Sequence, residues 1–251
     1  MEAESPSRRI LRMEMEAPGR GPEPGTPSRT PTRHAAFMQH PTSQQHWTAD
    51  SVARAVSIAL IPPTVSTVVF TLLVLASQHG AFTHRLLIWL IAVLCSGMLQ
   101  MLHVLRLRHE RRVTAYDVPE RLQRTGPYLL SAAISLAGLV MLLFLGATFA
   151  VWSLMWCYTV NTLLLAAINR YWKISAHLMG LTGPVTALVP LFGSWVSTVL
   201  PLVALLGWAR VRLRAHSGMQ VVAGASAGIV LTAVQLFFVS AYGSRVLAAL
   251  W

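Results

Sequence analysis

From about residue 50 onward, apolar positions fill whole windows of this chain instead of recurring on one stripe, and short polar stretches separate the windows. Segments apolar on every side belong to a large core or to lipid. A helix needs about 20 such residues to cross a hydrocarbon layer of roughly 30 Å. Windows that fit lie at 52–77, 86–105, 128–147, 149–170, 177–193, 195–209 and 220–243. Pro62-Pro63 falls inside the first, which is expected to kink or break there. Read as one helix, 177–209 would be about 50 Å long, more than tilt accommodates. A break near Gly193-Ser194 is therefore expected, giving two shorter spans. Residues 1–48 are rich in Pro, Ser, Thr, Gln, Arg and Glu, and read as a disordered tail without an apolar signal-peptide core. The expected fold is all-α: a polytopic integral membrane bundle of six to seven spans over residues 49–251, behind that tail.

Composition agrees. Hydrophobic residues make up 54% of the chain and charged residues 12%, about half the usual charged share of 25%. The net charge of +11 is unevenly spread. The first fifty residues hold six acids and six arginines, so the excess belongs to 51–251, with fourteen Lys/Arg against Glu110, Asp117 and Glu120. In a soluble protein such basicity would point to nucleic acid. Here the cations sit between apolar spans, so the expected partners are membrane lipids and lipid phosphates, with no nucleic acid. Span alternation puts Arg54, Arg106, Arg108, Arg111, Arg112, Arg121, Arg124, Arg170, Lys173, Arg210, Arg212 and Arg214 on one face, and Arg85 and Arg245 on the other. By the positive-inside rule the basic face and the N-terminus are cytoplasmic, as for a protein of the cell's inner membrane. Cys95 and Cys157 lie in different apolar runs and read as small packing residues.

Three segments on the basic face carry groups suited to a phosphate. They are Asp117-Val-Pro-Glu-Arg121-Leu-Gln-Arg124-Thr-Gly-Pro127-Tyr128, then Lys173-Ile-Ser175-Ala-His177, then Arg210-x5-His216-x3-Gln220. Guanidinium groups offer two parallel donors to phosphate oxygens, and lysine adds a point charge. Cations beside a histidine favour its neutral, nucleophilic form.

The order and spacing of these segments resemble the type 2 phosphatidic acid phosphatases of the acid phosphatase and vanadium haloperoxidase superfamily, whose pattern is K-x6-R-P, P-S-G-H and S-R-x5-H-x3-D. The third motif is matched by Ala209-Arg210, His216 and Gln220, the second by Ile174-Ser175-Ala176-His177, and the first by Arg121, Arg124 and Pro127. The similarity covers about residues 105–245. It implies that His216 attacks phosphorus and that His177 protonates the departing alkoxide. Arg210, Ser175, Arg121 and Arg124 would hold the phosphoryl oxygens, with Lys173 as an added ligand. It implies no metal and no cofactor. The activity implied is a lipid-phosphate or lipid-pyrophosphate phosphohydrolase.

The chain departs from the pattern at Gln220, where the family has the Asp that orients the nucleophile, and at Ala209, Ala176 and Gly126. Asp117 is an alternative orienting group. The Gln220 change keeps open a second function, binding of anionic lipid phosphates with weak turnover. A third, a transporter, finds no internal repeat to support it. Prenyl transfer on Mg²⁺-pyrophosphate needs aspartate clusters, which a chain with one Asp beyond residue 50 lacks. Arg121 and Arg124 serve equally as positive-inside anchors, and Arg106, Arg108, Arg111, Arg112, Arg212 and Arg214 read as headgroup anchors, with contact to the substrate an alternative for one of Arg212 and Arg214. His79, His84, His103 and His109 read as interfacial. Gly224-x3-Gly228 reads as a close helix contact, and Asn161 and Asn169 as interhelical hydrogen-bonding groups.

Overall fold

The structure is a computed structural model that describes residues 42–110 and 125–243. Among them there is no strand; the helices are α1 (Thr42–Ala59), α2 (Pro62–Ser77), α3 (Phe82–Val93), α4 (Leu99–His109), α5 (Thr125–Phe144), α6 (Phe149–Tyr171), α7 (Ala176–Phe192), α8 (Leu200–Arg212) and α9 (Gly218–Phe238). Short π-helical turns join α3 to α4 and extend α9, and a 3₁₀ turn over Gly193–Val199 joins α7 to α8.

Five continuous helical stretches are long and apolar enough to cross a membrane, or six if the bent α1–α2 pair is one span. The longest, Ala176–Arg212, is broken at Gly193, whose φ of +59° suits glycine, and the chain turns back there. Two observations establish the reversal. Lys173, just before α7, donates to the carbonyl of Ala215, just after α8, at 2.9 Å. Helices α7 and α9 also run parallel: Gly224 packs on Ser175, Gly228 on Met179 and Gly183, and Thr232 beside Gly183. Counted as two crossings, α7 and α8 bring the bundle to the six to seven spans that hydropathy predicts.

Boundaries differ from the sequence expectation at the first two spans. Helix α1 starts at Thr42, inside the segment read as tail, because no Gly or Pro interrupts residues 42–59 and Gln44, Gln45 and Ala49 are ordinary helix formers. The 86–105 window is not one regular helix; it runs from Phe82 to His109 with a π turn at Leu94–Met98. The Pro62-Pro63 break is present, as a 48° bend between α1 and α2. Neither proline has an N–H, so the carbonyls of Ile58 and Ala59 lose their helical donors there.

The core centres on Phe70, Leu73, Ile88, Leu142, Leu154 and Met155, all fully buried, with Phe70 stacked on Tyr158. Outward faces are also apolar: Leu75, Phe82, Phe144, Trp195 and Phe237 are exposed. In lipid such a surface matches its solvent. Several polar side chains inside pair with one another. Gln100 Nε2 donates to the Cys95 carbonyl (3.1 Å) and to Ser135 Oγ (3.0 Å), and Ser135 Oγ donates to the same carbonyl (3.2 Å), so the π turn's irregular backbone is satisfied within the bundle. Asn161 donates to Thr232 Oγ1 (3.0 Å) and accepts from Gln235 Nε2 (2.7 Å), tying α6 to α9 as expected of an intramembrane Asn. Removing both bonds with Asn161→Leu is expected to lower stability by about 1 kcal/mol, at roughly 0.6 per interhelical bond. Unfolding in mixed micelles checks this.

Candidate functional site

The site is assembled where α8 ends and α7 and α9 begin. Helix α8 closes with the Ala215 N–H on the Arg210 carbonyl (3.1 Å) and the Arg214 N–H on the Val211 carbonyl (2.9 Å), a Schellman turn with Arg214 in the left-handed position. Two residues later Ser217 caps α9. Its hydroxyl accepts the Gln220 N–H and the Gln220 side chain accepts the Ser217 N–H, a reciprocal capping box. His216 sits between these two motifs, so its backbone is fixed from both sides.

The capping box also fixes the chemistry of the imidazole. Gln220 Oε1 accepts the Ser217 N–H at 3.2 Å, which turns the amide oxygen toward the loop. The same oxygen lies 3.2 Å from His216 Nδ1. An amide oxygen only accepts, so Nδ1 carries a proton, which in the neutral ring places the lone pair on Nε2. His216 is 6% exposed, and an Nε2 lone pair on a neutral imidazole is chemically that of a nucleophile or base.

Around it, Ser175 caps α7 by accepting the Leu178 N–H, and its own N–H donates to the Gln220 carbonyl at 3.1 Å. Two helix N-termini therefore meet beside His216, each bringing a partial positive charge that favours an anion. The contact is permitted by Gly224: a Cβ there would lie 2.5 Å from the Ser175 carbonyl oxygen and 3.1 Å from its nitrogen. Gly224→Val is expected to push α9 from α7, costing about 1–3 kcal/mol for overpacking and disordering the turn. A fall in melting temperature together with loss of function checks it.

Arg210, in the last turn of α8, is 4% exposed. With His177 and Tyr128 it lines one end of a cavity of about 330 Å³ inside the bundle. The far end is lined by Cys157 and Leu154, four to five turns before α6 ends at Tyr171, hence about 20–25 Å deeper at 5.4 Å per turn. Between them the walls are Pro62, Pro63, Gly97, Gly180 and Gly183, so the bend and the π turn both border the cavity. Irregular backbone at membrane depth is tolerated where it lines such a space. The volume is within the range of small-molecule sites.

No family model, no curated protein and no solved structure matches this chain.

Of the residues expected from sequence, Lys173, Ser175, Arg210, His216 and Gln220 stand together at the α7–α8–α9 junction. His177 stands at the cavity end with Arg210. Arg121, Arg124 and Asp117 lie outside the described residues. Lys173 spends one N–H donor on the Ala215 carbonyl, bracing the turn that bears His216. Arg212 pairs with Asp50 at 2.8 Å, holding α1 against α8. Two features were not read from the sequence, the cavity and the double use of Gln220; Asn169, read there as a polar group of the bundle interior, is 1% exposed at the end of α6. A Ser followed three residues later by Gln, at 217 and 220, was the available signal for the second.

Proposed function

We propose that the protein is an integral membrane lipid-phosphate phosphohydrolase that works through His216, in keeping with its resemblance to the type 2 phosphatidic acid phosphatases. The observation that carries this reading is the orientation of His216: Gln220 Oε1 accepts from Nδ1–H, which in the neutral ring puts the lone pair on Nε2. The cavity supports an amphiphilic substrate, because Arg210 and His177 stand at one end of a long, mainly apolar space.

In the proposed reaction Nε2 of His216 attacks phosphorus and the bond from phosphorus to the lipid oxygen breaks. His177, entering protonated, gives its proton to the departing lipid alkoxide. Water then attacks the phosphohistidine, passing a proton to His177. Inorganic phosphate leaves and both histidines return to their starting forms. Arg210 and the N-termini of α7 and α9 offset the charge that develops on the phosphoryl oxygens. The basic end faces the cytoplasm under the positive-inside rule.

Gln220 favours a second reading. A neutral amide orients the imidazole but adds no charge to stabilise an imidazolium, which slows turnover and leaves anion binding intact. Detergent-solubilised full-length chain, incubated in EDTA with a panel of lipid phosphates and diphosphates, separates the two. Release of inorganic phosphate is expected. Tight lipid binding without release at any pH would establish the binding reading instead.

A further inference from the structure

The far end of the cavity meets the packed core. Its wall on α6 runs from Leu165 to Leu154, about 16 Å at 1.5 Å per residue, and its wall on α7 from His177 to Pro184, about 10 Å. Leu154 and Cys157 at the floor are each 1% exposed, and both belong to the buried cluster that holds Leu142, Val151 and Met155. The floor is also pinned. Asn161 on α6 donates to Thr232 on α9 at 3.0 Å, and a Cβ on Gly183 of α7 would lie 3.0 Å from the same hydroxyl. Three helices are thus held together at this depth, and a dense interior of this kind yields little to a longer occupant.

The surface offered to that occupant is mostly hydrocarbon. Gln100 and Asn161 line the space but are spent on other partners, Gln100 on Ser135 and the Cys95 carbonyl, Asn161 on Thr232 and Gln235. At the basic end the His216 N–H lies 3.3 Å from the Arg210 carbonyl, so the cavity begins beside the turn that bears the imidazole. One side is less complete: Ile58 on α1 lines the cavity and is 68% exposed. A chain that turned out there would leave the apolar space at Cys157 and Leu154 without contacts.

We infer that Leu154 and Cys157 measure the substrate's hydrocarbon chain. A single chain of up to about twelve carbons, at roughly 1.3 Å per carbon when staggered, reaches from the Arg210 end to the floor, and longer chains do not fit. This rests on reading the Arg210 end as the phosphoryl site. In micelles a chain that fits exchanges one hydrocarbon surrounding for another, so its length matters little. The first carbons in excess force floor side chains off their rotamers.

The test uses full-length wild type, Cys157→Phe and Leu154→Ala, with n-alkyl phosphates from hexyl to octadecyl at fixed mole fraction in neutral micelles. In wild type kcat/KM is expected to vary less than about threefold up to dodecyl and to fall about tenfold or more at hexadecyl, the worth of overpacking a core. Cys157→Phe raises the floor and should move the fall to chains about three carbons shorter, while Leu154→Ala lowers it and should move the fall about two carbons longer. A profile without a step, or a step that neither variant moves, would overturn the inference. Should the variants fail to fold, wild type still decides. Dodecyl phosphate carrying a diazirine on its terminal carbon is photolysed in the protein, and the label is mapped by mass spectrometry. Label on Leu154, Cys157 or Pro184 supports the inference; label confined to Ile58 and other lipid-facing residues removes it, because the chain then leaves sideways. Labelling needs no turnover, so if wild type releases no phosphate the phosphohydrolase reading fails by itself and the label still places the chain.

Discussion

Replacing His216 with alanine is expected to reduce phosphate release by at least about 10⁴-fold, because covalent catalysis loses its nucleophile and not merely a binding contact. The fold should survive. The His216 ring hydrogen-bonds Gln220, and the Schellman turn and capping box on either side are made by other residues. Lipid binding should therefore change little, since Arg210 and the two helix N-termini remain. His177→Ala should behave differently: its loss should be large for lipid alkoxide leaving groups and small for a phenolic ester, which departs without a proton. Steady-state release measured on both substrate types distinguishes the roles. Equal losses on both for His177→Ala would remove it as the proton donor.

Gln220 carries the second large effect. Gln220→Leu removes the acceptor for Nδ1–H, and with it the bond that selects the ring tautomer. The loss is expected to approach 10³- to 10⁴-fold, the scale seen when a carboxylate that fixes a catalytic histidine is replaced by its amide. The substitution also opens the capping box, worth about 1 kcal/mol. Ser217→Ala serves as the control, since it removes the hydroxyl that accepts the Gln220 N–H and leaves the imidazole contact in place. That variant should lose stability and keep most of its rate. Gln220→Glu should move the other way. A carboxylate retains the acceptor and adds charge that stabilises the imidazolium, so release should rise about tenfold or more if the amide limits the rate. Rates and melting temperatures of the three variants, measured together, separate orientation of the ring from capping of the helix.

Much of the fold was legible because a membrane span has a strong signature. Twenty apolar residues in a row leave few alternatives, and excess length at 177–209 already implied the reversal found at Gly193. The Gly224-x3-Gly228 spacing marked the α7–α9 contact for a similar reason, since small residues allow close approach. The π turn at Leu94–Met98 had no such marker. It contains no proline, and its freed Cys95 carbonyl is satisfied by Gln100 and by Ser135 on α5, a tertiary arrangement that local sequence does not encode. The start of α1 at Thr42 was obscured by polar composition, which lowers hydropathy without preventing a helix.

The candidate site was legible as residue types and spacing, and less so as roles. His216 and Gln220 are four apart, which is one helical turn, but here the second residue begins a helix and the first precedes it. That Gln220 serves both the cap and the ring follows only once the turn is seen. Lys173 illustrates the same limit: a cation beside Ser175 and His177 reads as a phosphate ligand, while one of its donors braces the His216 turn. The left-handed φ of Arg214 likewise has no marker in the sequence.

The central claim is the histidine nucleophile, and trapping the covalent intermediate tests it most directly. Full-length chain would be mixed with a lipid phosphate labelled in its phosphoryl group, quenched in strong base within milliseconds, and digested for mass spectrometry. The account predicts a base-stable, acid-labile phosphoryl group on His216, present under EDTA and lost in His216→Ala. Turnover without a trapped phosphoenzyme, or label on another residue, would contradict it.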